Sequence, residues 1–178
     1  LFPYTTLFRS ESAKAVLEKN RNCIILTGNR NKYSSFKEIL SKNDISILEE
    51  KLALPEIQSN DYLDVAKYKA KAAFEHFGYA VWVDDVALTT KAFPNFPGAY
   101  TKDIFKILDV SDIAKVFEGK SRNASMICTL CSFDGRDFSV IQGKTTGTLD
   151  FSKGSKKLTF KNIKKLLFTE AAKKLIFK

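Results

Sequence analysis

The stretch CIILTGNRNKYSSFKEIL, residues 23–40, constrains the fold more than any other. Residues 24–26 are an apolar run of strand length, Gly28 breaks it, and Tyr33, Phe36, Ile39 and Leu40 then recur at helical spacing. The pattern predicts a short buried strand, a glycine-containing turn and a helix over residues 32–40. Such a turn leaves the first N–H groups of the helix without partners, and the helix dipole adds partial positive charge there. Phosphate oxygens are drawn to a place of this kind. Thr27 adds a hydroxyl, Asn29 an amide donor and Lys32 a point charge. The same residues also suit an ordinary solvated strand-to-helix turn, and the second glycine and GK[ST] of a P-loop are missing.

The rest of the chain continues to mix strand and helix patterns. Residues 45–48 suit a second strand, and Pro55 blocks a helix or a central strand in LALPEIQ. Asn60 or Asp61 can cap a helix over residues 62–77, with Gly78 as its stop. Residues 80–83 read as a strand ending on Asp84 and Asp85. KAFPNFPGAY reads as a loop, and residues 103–108 and 111–117 as two short helices. Residues 124–133 and 138–142 form a β-hairpin around Asp134-Gly135. Without internal repeats or a low-complexity linker, these elements make one α/β or α+β domain with a mixed sheet. From Lys153 onward, Ile163, Leu166, Leu167, Ala171, Leu175 and Ile176 fall at helical spacing with lysines between them, which predicts a basic amphipathic helix.

At 178 residues the chain is long enough for one domain with a sizeable core. Its net charge of +9 would point to nucleic acid if it were spread over the chain. Residues 151–178, however, hold nine lysines against one glutamate, Arg9 supplies the remaining positive charge, and residues 11–150 are neutral. The tail can attract phosphate backbones or anionic membrane, whereas the body is expected to have no specific nucleic-acid partner. No apolar run approaches the roughly 20 residues of a membrane span, and no membrane partner is expected. The first ten residues, LFPYTTLFRS, lack the basic start of a signal peptide and look like the translation of a sequencing adapter. Residues 1–10 are therefore set apart as an artefact, and the true start is expected to be missing or altered. The odd cysteine count (Cys23, Cys128, Cys131) suits a reducing, cytoplasmic setting. Cys128 and Cys131 have C-x-x-C spacing, but in a strand residues three apart face opposite ways. Two buried thiols are expected there rather than a zinc or redox centre.

WVDDVAL carries the strongest chemical signal. Successive strand residues face opposite ways, so one of Asp84 and Asp85 can face a site while the other points away. Carboxylates suit Mg²⁺, which keeps waters and takes one or two protein carboxylates alongside substrate phosphates. A pair of turn aspartates explains the motif equally well. Glu56, beside Pro55, is a candidate second metal ligand or a surface glutamate. Lys69 and Lys102 are candidate phosphate contacts or solvated lysines. His76, the single histidine, reads as a surface or C-cap residue, and no Ser–His–Asp or Cys–His arrangement stands out.

The order of these pieces is more informative than any one of them. T-G-N-x-x-K, L-P-E-x-Q, K-A, V-D-D-x-x-L and F-P-G-x-Y-x-K, then A-x-x-x-C-T-L at Ala124 to Leu130 and G-K-T-T-G-T-L at Gly143 to Leu149, resemble the inosine triphosphate pyrophosphatase family. The resemblance runs over residues 24–149. It implies a long mixed sheet flanked by helices, with two lobes around a central cleft. It implies Mg²⁺-dependent hydrolysis (Mn²⁺ being the alternative ion) of ITP, dITP and XTP to monophosphate and pyrophosphate, and a homodimer. By resemblance, Thr27, Gly28, Asn29, Arg30, Asn31 and Lys32 cradle the triphosphate. Lys69, Asp85, Val86 and Lys102 complete the substrate site, Glu56 and Asp85 hold the metal, and Asp85, Lys32 and Lys69 carry the catalysis, with Asp85 orienting or deprotonating water.

The resemblance stops near Gly154. The family's F-G-[WY]-D-P and S-H-R, which read the purine base, are replaced by KKLTFKNIKKLLFTEAAKKLIFK, and Val86 stands where a Ser or Thr is expected after Asp85. A reading-frame slip and a divergent natural end both account for the tail. Under either, residues 11–150 form the catalytic-type domain, residues 151–178 a basic tail, and base discrimination is expected to suffer before phosphate binding. The alternative function is a non-catalytic nucleotide-binding module, or one that docks on nucleic acid or membrane through the tail.

Overall fold

The computed structural model describes residues 25–27, 29–40, 47–48, 54–55 and 57–151. The expected leader, Cys23, Ile24, Gly28, residues 45–46, Glu56 and the tail helix all lie outside the described residues.

Local chemistry sets the helix ends. Helix α1 (Arg30–Leu40) follows strand β1 (Ile25–Leu26) and opens two residues before the sequence pattern predicts, because Asn29 caps it. Strand β2 (Ile47–Leu48) comes next. Helix α2 (Tyr62–Phe77) begins where the Asp61 carboxylate accepts from Leu63 N at 2.7 Å. It ends where Gly78, at φ 75°, turns its N–H back to Phe74 O. Its buried side is Val65, Ala66, Ala70 and Ala73, and three alanines let the helix lie close to the sheet. His76 is half-buried in its last turn, edge-on to Phe77, so it is neither a surface residue nor the cap.

Strand β3 (Trp82–Thr90) departs from expectation: Asp84 and Asp85 lie within it rather than at its end. After a two-residue strand β4 (Pro97–Gly98) inside the expected loop come helices α3 (Thr101–Ile107) and α4 (Val110–Val116). Strands β5 (Asn123–Phe133) and β6 (Phe138–Thr148) close the hairpin, and β6 runs six residues past its expected end at Gln142. The reason for both extensions is pairing. Strand β5 registers against β3 from Trp82↔Ser132 to Thr90↔Ala124, and β6 registers along all of β5. Each long strand satisfies the backbone of the next, and that outweighs the charged pair in β3.

Among the described residues, six strands make one mixed sheet in the order β2-β1-β3-β5-β6, with β4 also on β3. Strand β1 is parallel to β2 and β3, while β5 is antiparallel to both of its neighbours, β3 and β6. Each face carries a core. One joins Phe36 and Leu40 of α1, and Ile113 and Phe117 at α4, to Leu88, Met126, Cys128 and Leu130. The other joins the alanines of α2 to Leu26, Val83 and Cys131. Cys128 and Cys131 therefore belong to opposite faces, as strand alternation requires, and are free thiols. Among the described residues, no helix is long and apolar enough to cross a membrane.

Candidate active site

Strand β5 accompanies β3 along one edge from end to end. On the other edge β1 pairs only with Trp82 and Val83, and β4 only with Leu88 and Thr89. Among the described residues, the edge of β3 over residues 84–87 carries no strand. Backbone groups of alternate residues face that gap. Side chains reach this edge at its two ends: Lys69 Nζ donates to Asp84 O at 3.1 Å, and just past the gap Leu88 N donates to Thr101 Oγ1 at 3.0 Å. By the same alternation, the backbone of Val86 faces the gap between them. Val86 lacks the hydroxyl that the resemblance leads one to expect, and what it offers is main chain.

The two aspartates flank the gap from opposite faces. Asp84, 3% exposed at its side chain, lies on the α1 face and pairs with Lys32 Nζ at 2.5 Å. Asp85 lies on the α2 face, 3.8 Å from Lys69 Nζ. Each carboxylate thus meets a lysine from the helix covering its own side of the sheet. Burial pulls the Lys32 pKa down, but Asp84, with a smaller contribution from Asp85, outweighs it and leaves the amine above its ordinary value. Lys32 is therefore a fixed positive charge at neutral pH. Burial, reinforced by Asp84 and Asp85 against Lys32, pushes the Cys128 thiol up, so behind this pair stands a neutral thiol and not a nucleophile.

The turn between β1 and α1 is built from its own side chains. Thr27 is buried, and its Oγ1 accepts from Asn29 N at 3.3 Å. Asn29 Oδ1 accepts from Lys32 N at 3.3 Å, and Asn29 O from Tyr33 N at 2.9 Å. Asn29 is thus the N-cap of α1, and its cap aims Lys32 at β3. Arg30 is exposed and Asn31 lies in the first turn of α1. Lys102 stands exposed in the first turn of α3, beyond the β4 end of the gap.

The structure brings Thr27, Asn29, Lys32, Lys69, Asp84, Asp85 and Val86 together around one strand edge. Gly28 and Glu56 lie outside the described residues. Among those described, no three acidic, histidine or cysteine side chains gather into a metal cluster. The donors present still fit a hard divalent cation that draws most of its ligands from water and substrate: Asp85 is a partly exposed carboxylate at the gap, and anionic oxygen is the ligand such ions prefer. Sequence reasoning missed one pairing and one residue. Asp84 was legible as a carboxylate but not as the partner of Lys32. Thr101 was hidden beside Lys102, its signal being only a hydroxyl three residues after Gly98.

Known proteins resemble this chain in sequence and in fold. The Ham1 family model matches residues 23–170, continuing past residue 154 where the motif pattern breaks. An inosine triphosphate pyrophosphatase of Saccharomyces cerevisiae is 32% identical over 145 residues, covering 76% of this chain and 74% of the yeast protein. A dITP/XTP pyrophosphatase of Saccharolobus solfataricus is 32% identical over 126 residues, covering 70% and 66%. The solved structure of a HAM1 protein from Coxiella burnetii shares the fold, with a TM-score of 0.69 at 17% identity over 86% of this chain and 96% of that one. With a family match over most of its length and relatives above 30% identity, the chain belongs to the Ham1 family.

Proposed function

We propose that the chain hydrolyses purine nucleoside triphosphates such as ITP, dITP and XTP to the monophosphate and pyrophosphate. The relatives named for these activities support the substrate class. The observation that carries the chemistry is the strand edge at residues 84–87, which among the described residues carries no strand between β1 and β4 and is flanked by Asp84–Lys32 and Asp85–Lys69. Lysines at both sides of this edge offset the charge of a polyphosphate, and the main chain of Val86, which faces the same edge by strand alternation, is placed to meet it.

In this reading, Lys32, Lys69 and Lys102 hold phosphate oxygens, and Thr27 to Lys32 shape the turn that receives them. Asp85 orients a water and takes its proton as the water oxygen bonds to phosphorus. With attack at the α-phosphorus, the bond from that phosphorus to the α,β-bridging oxygen breaks, and its electron pair leaves with that oxygen on pyrophosphate. Asp84 does not share this role, because it is committed to Lys32. Asp85 and Glu56 would hold Mg²⁺, which when bound supplies charge neutralisation on the phosphoryl oxygens. Catalysis here is positioning plus electrostatics.

The test is pyrophosphate release from ITP, XTP and ATP by the full chain, with and without Mg²⁺. Mg²⁺-dependent release that falls by about 10²-fold or more in Asp85→Asn supports the reading. Equal release from parent, Asp85→Asn and Glu56→Gln would remove the site assignment.

A further inference from the structure

Thr101 sits where a regular antiparallel ladder would have direct backbone contact. Leu88 and Gly98 are register partners across β3 and β4. The Thr101 hydroxyl stands between them, accepting from Leu88 N at 3.0 Å and donating to Gly98 O at 2.6 Å. One side chain thereby ties three things together: the β3 edge at the end of the open gap, the β4 turn, and the first residue of α3. Gly98 sits at φ 57°, and a Cβ there would collide with Asn95 O, so the turn that carries this acceptor requires glycine. The next residue in the chain is Lys102, exposed in the same helical turn.

We infer that Thr101 is a positioning residue for the triphosphate: by bridging Leu88 and Gly98 it fixes the start of α3 against the strand edge, and so fixes where the Lys102 charge stands relative to Asp84 and Asp85. The inference rests on the proposed role of Lys102 as a phosphate contact. The side chain needed is specific. A hydroxyl can accept from Leu88 N and donate to Gly98 O at once. Valine has the same shape and can do neither, leaving a donor and an acceptor unpaired at the edge of the site. Serine keeps both bonds.

The experiment is a double-mutant cycle read by binding, so that it does not depend on turnover. Calorimetry would follow inosine 5′-(α,β-imido)triphosphate with Mg²⁺ on the full chain and on Thr101→Val, Thr101→Ser, Lys102→Met and Thr101→Val/Lys102→Met. The expected result is about tenfold weaker binding in Lys102→Met, a loss of several-fold up to about tenfold in Thr101→Val, and recovery in Thr101→Ser. The double variant should bind like Lys102→Met alone, because there is then no charge left to place. A merely structural Thr101 would instead weaken binding by the same factor in both backgrounds, and that additivity would overturn the inference. Parent-like binding by Thr101→Val, with Lys102→Met impaired, would also overturn it while leaving the proposed function intact. Parent-like binding by Lys102→Met, or no binding by the unaltered chain, would remove the reading of the site and the inference with it.

Discussion

Lys32 and Asp84 show how a residue can serve the fold and the site at once. Asp84 is almost fully buried, and its charge is tolerable only because Lys32 is 2.5 Å away. Removing one member of a buried pair costs more than the pair contributes, since the other charge is left uncompensated. Lys32→Met is therefore expected to lower unfolding free energy by about 3–5 kcal/mol in urea, and adding Asp84→Asn to recover most of it. The pH dependence has a definite sign. Because the folded pKa of Lys32 is raised above 10.5, the pair contributes fully below pH 10.5 and loses its contribution as pH rises through the higher folded value. Urea midpoints of the parent should drop in that alkaline range, and those of the double variant should lack this component. The two described cysteines make a second residue-scale prediction. Burial pushes the Cys128 thiol up, and holds Cys131 up to about 11 against the lowering effect of Lys67. Iodoacetamide on the native protein at pH 8 should leave both unmodified by mass spectrometry and alkylate both in denaturant. Native labelling of either would place it outside the core.

Elements differ in how much of them the sequence can express. Helix α2 was legible to the residue because both of its ends are local events: Asp61 accepts from Leu63 N two residues on, and Gly78 takes a left-handed φ. The end of β3 was not, because what carries it through Asp84 and Asp85 to Thr90 is β5, some forty residues later in the chain. The Lys32–Asp84 pair and the Thr101 bridge were illegible for the same reason: each depends on a partner fixed only by the sheet. Motif order picks out the candidate site residues, while the division of Asp84 and Asp85 between the two faces of β3 needed the helices in place. The hairpin turn lies at the legible end, and its chemistry can be tested directly. Gly135 adopts φ 99°, and a Cβ there would approach Phe74 Cζ to 2.9 Å. Phe74 packs edge-on against Phe133, so its ring is not free to yield without cost. Gly135→Ala is expected to destabilise by about 1–3 kcal/mol in thermal or urea unfolding. A neutral outcome would mean the turn can relax to a negative φ. Beside it, Asp134 Oδ1 accepts from Arg136 N and Asp137 N at 2.8 Å each, and these bonds hold its carboxyl below the usual value of 3.8. That contribution is present above pH 3.8 and fades as pH falls through the lower folded value.

For the whole molecule, the decisive asymmetry is in charge. Residues 11–150 are neutral in sum, and nearly all of the +9 sits in residues 151–178. In the proposed site a triphosphate would be met by a few lysines fixed around a strand edge, Lys32 and Lys69 among them. A long polyanion is met by many lysines in series, and its binding follows counterion release. The chain is therefore expected to bind a fluorescent DNA duplex without sequence preference, with log affinity falling against log salt by about 0.9 for each phosphate neutralised. A chain ended after Phe151 keeps every described residue, including Leu149 of the core and the Phe151 ring packed near Phe117. It should lose DNA binding and keep binding of the imido triphosphate. The two ligands should also fail to compete on the full chain: saturating nucleotide with Mg²⁺ should leave fluorescence anisotropy of the DNA complex unchanged, since one occupies the β3 edge and the other the tail. Displacement of DNA by nucleotide would place the polyanion site at Asp84 and Asp85, and would mean that Lys32, Lys69 and Lys102 answer to phosphate chains in general rather than to a single triphosphate.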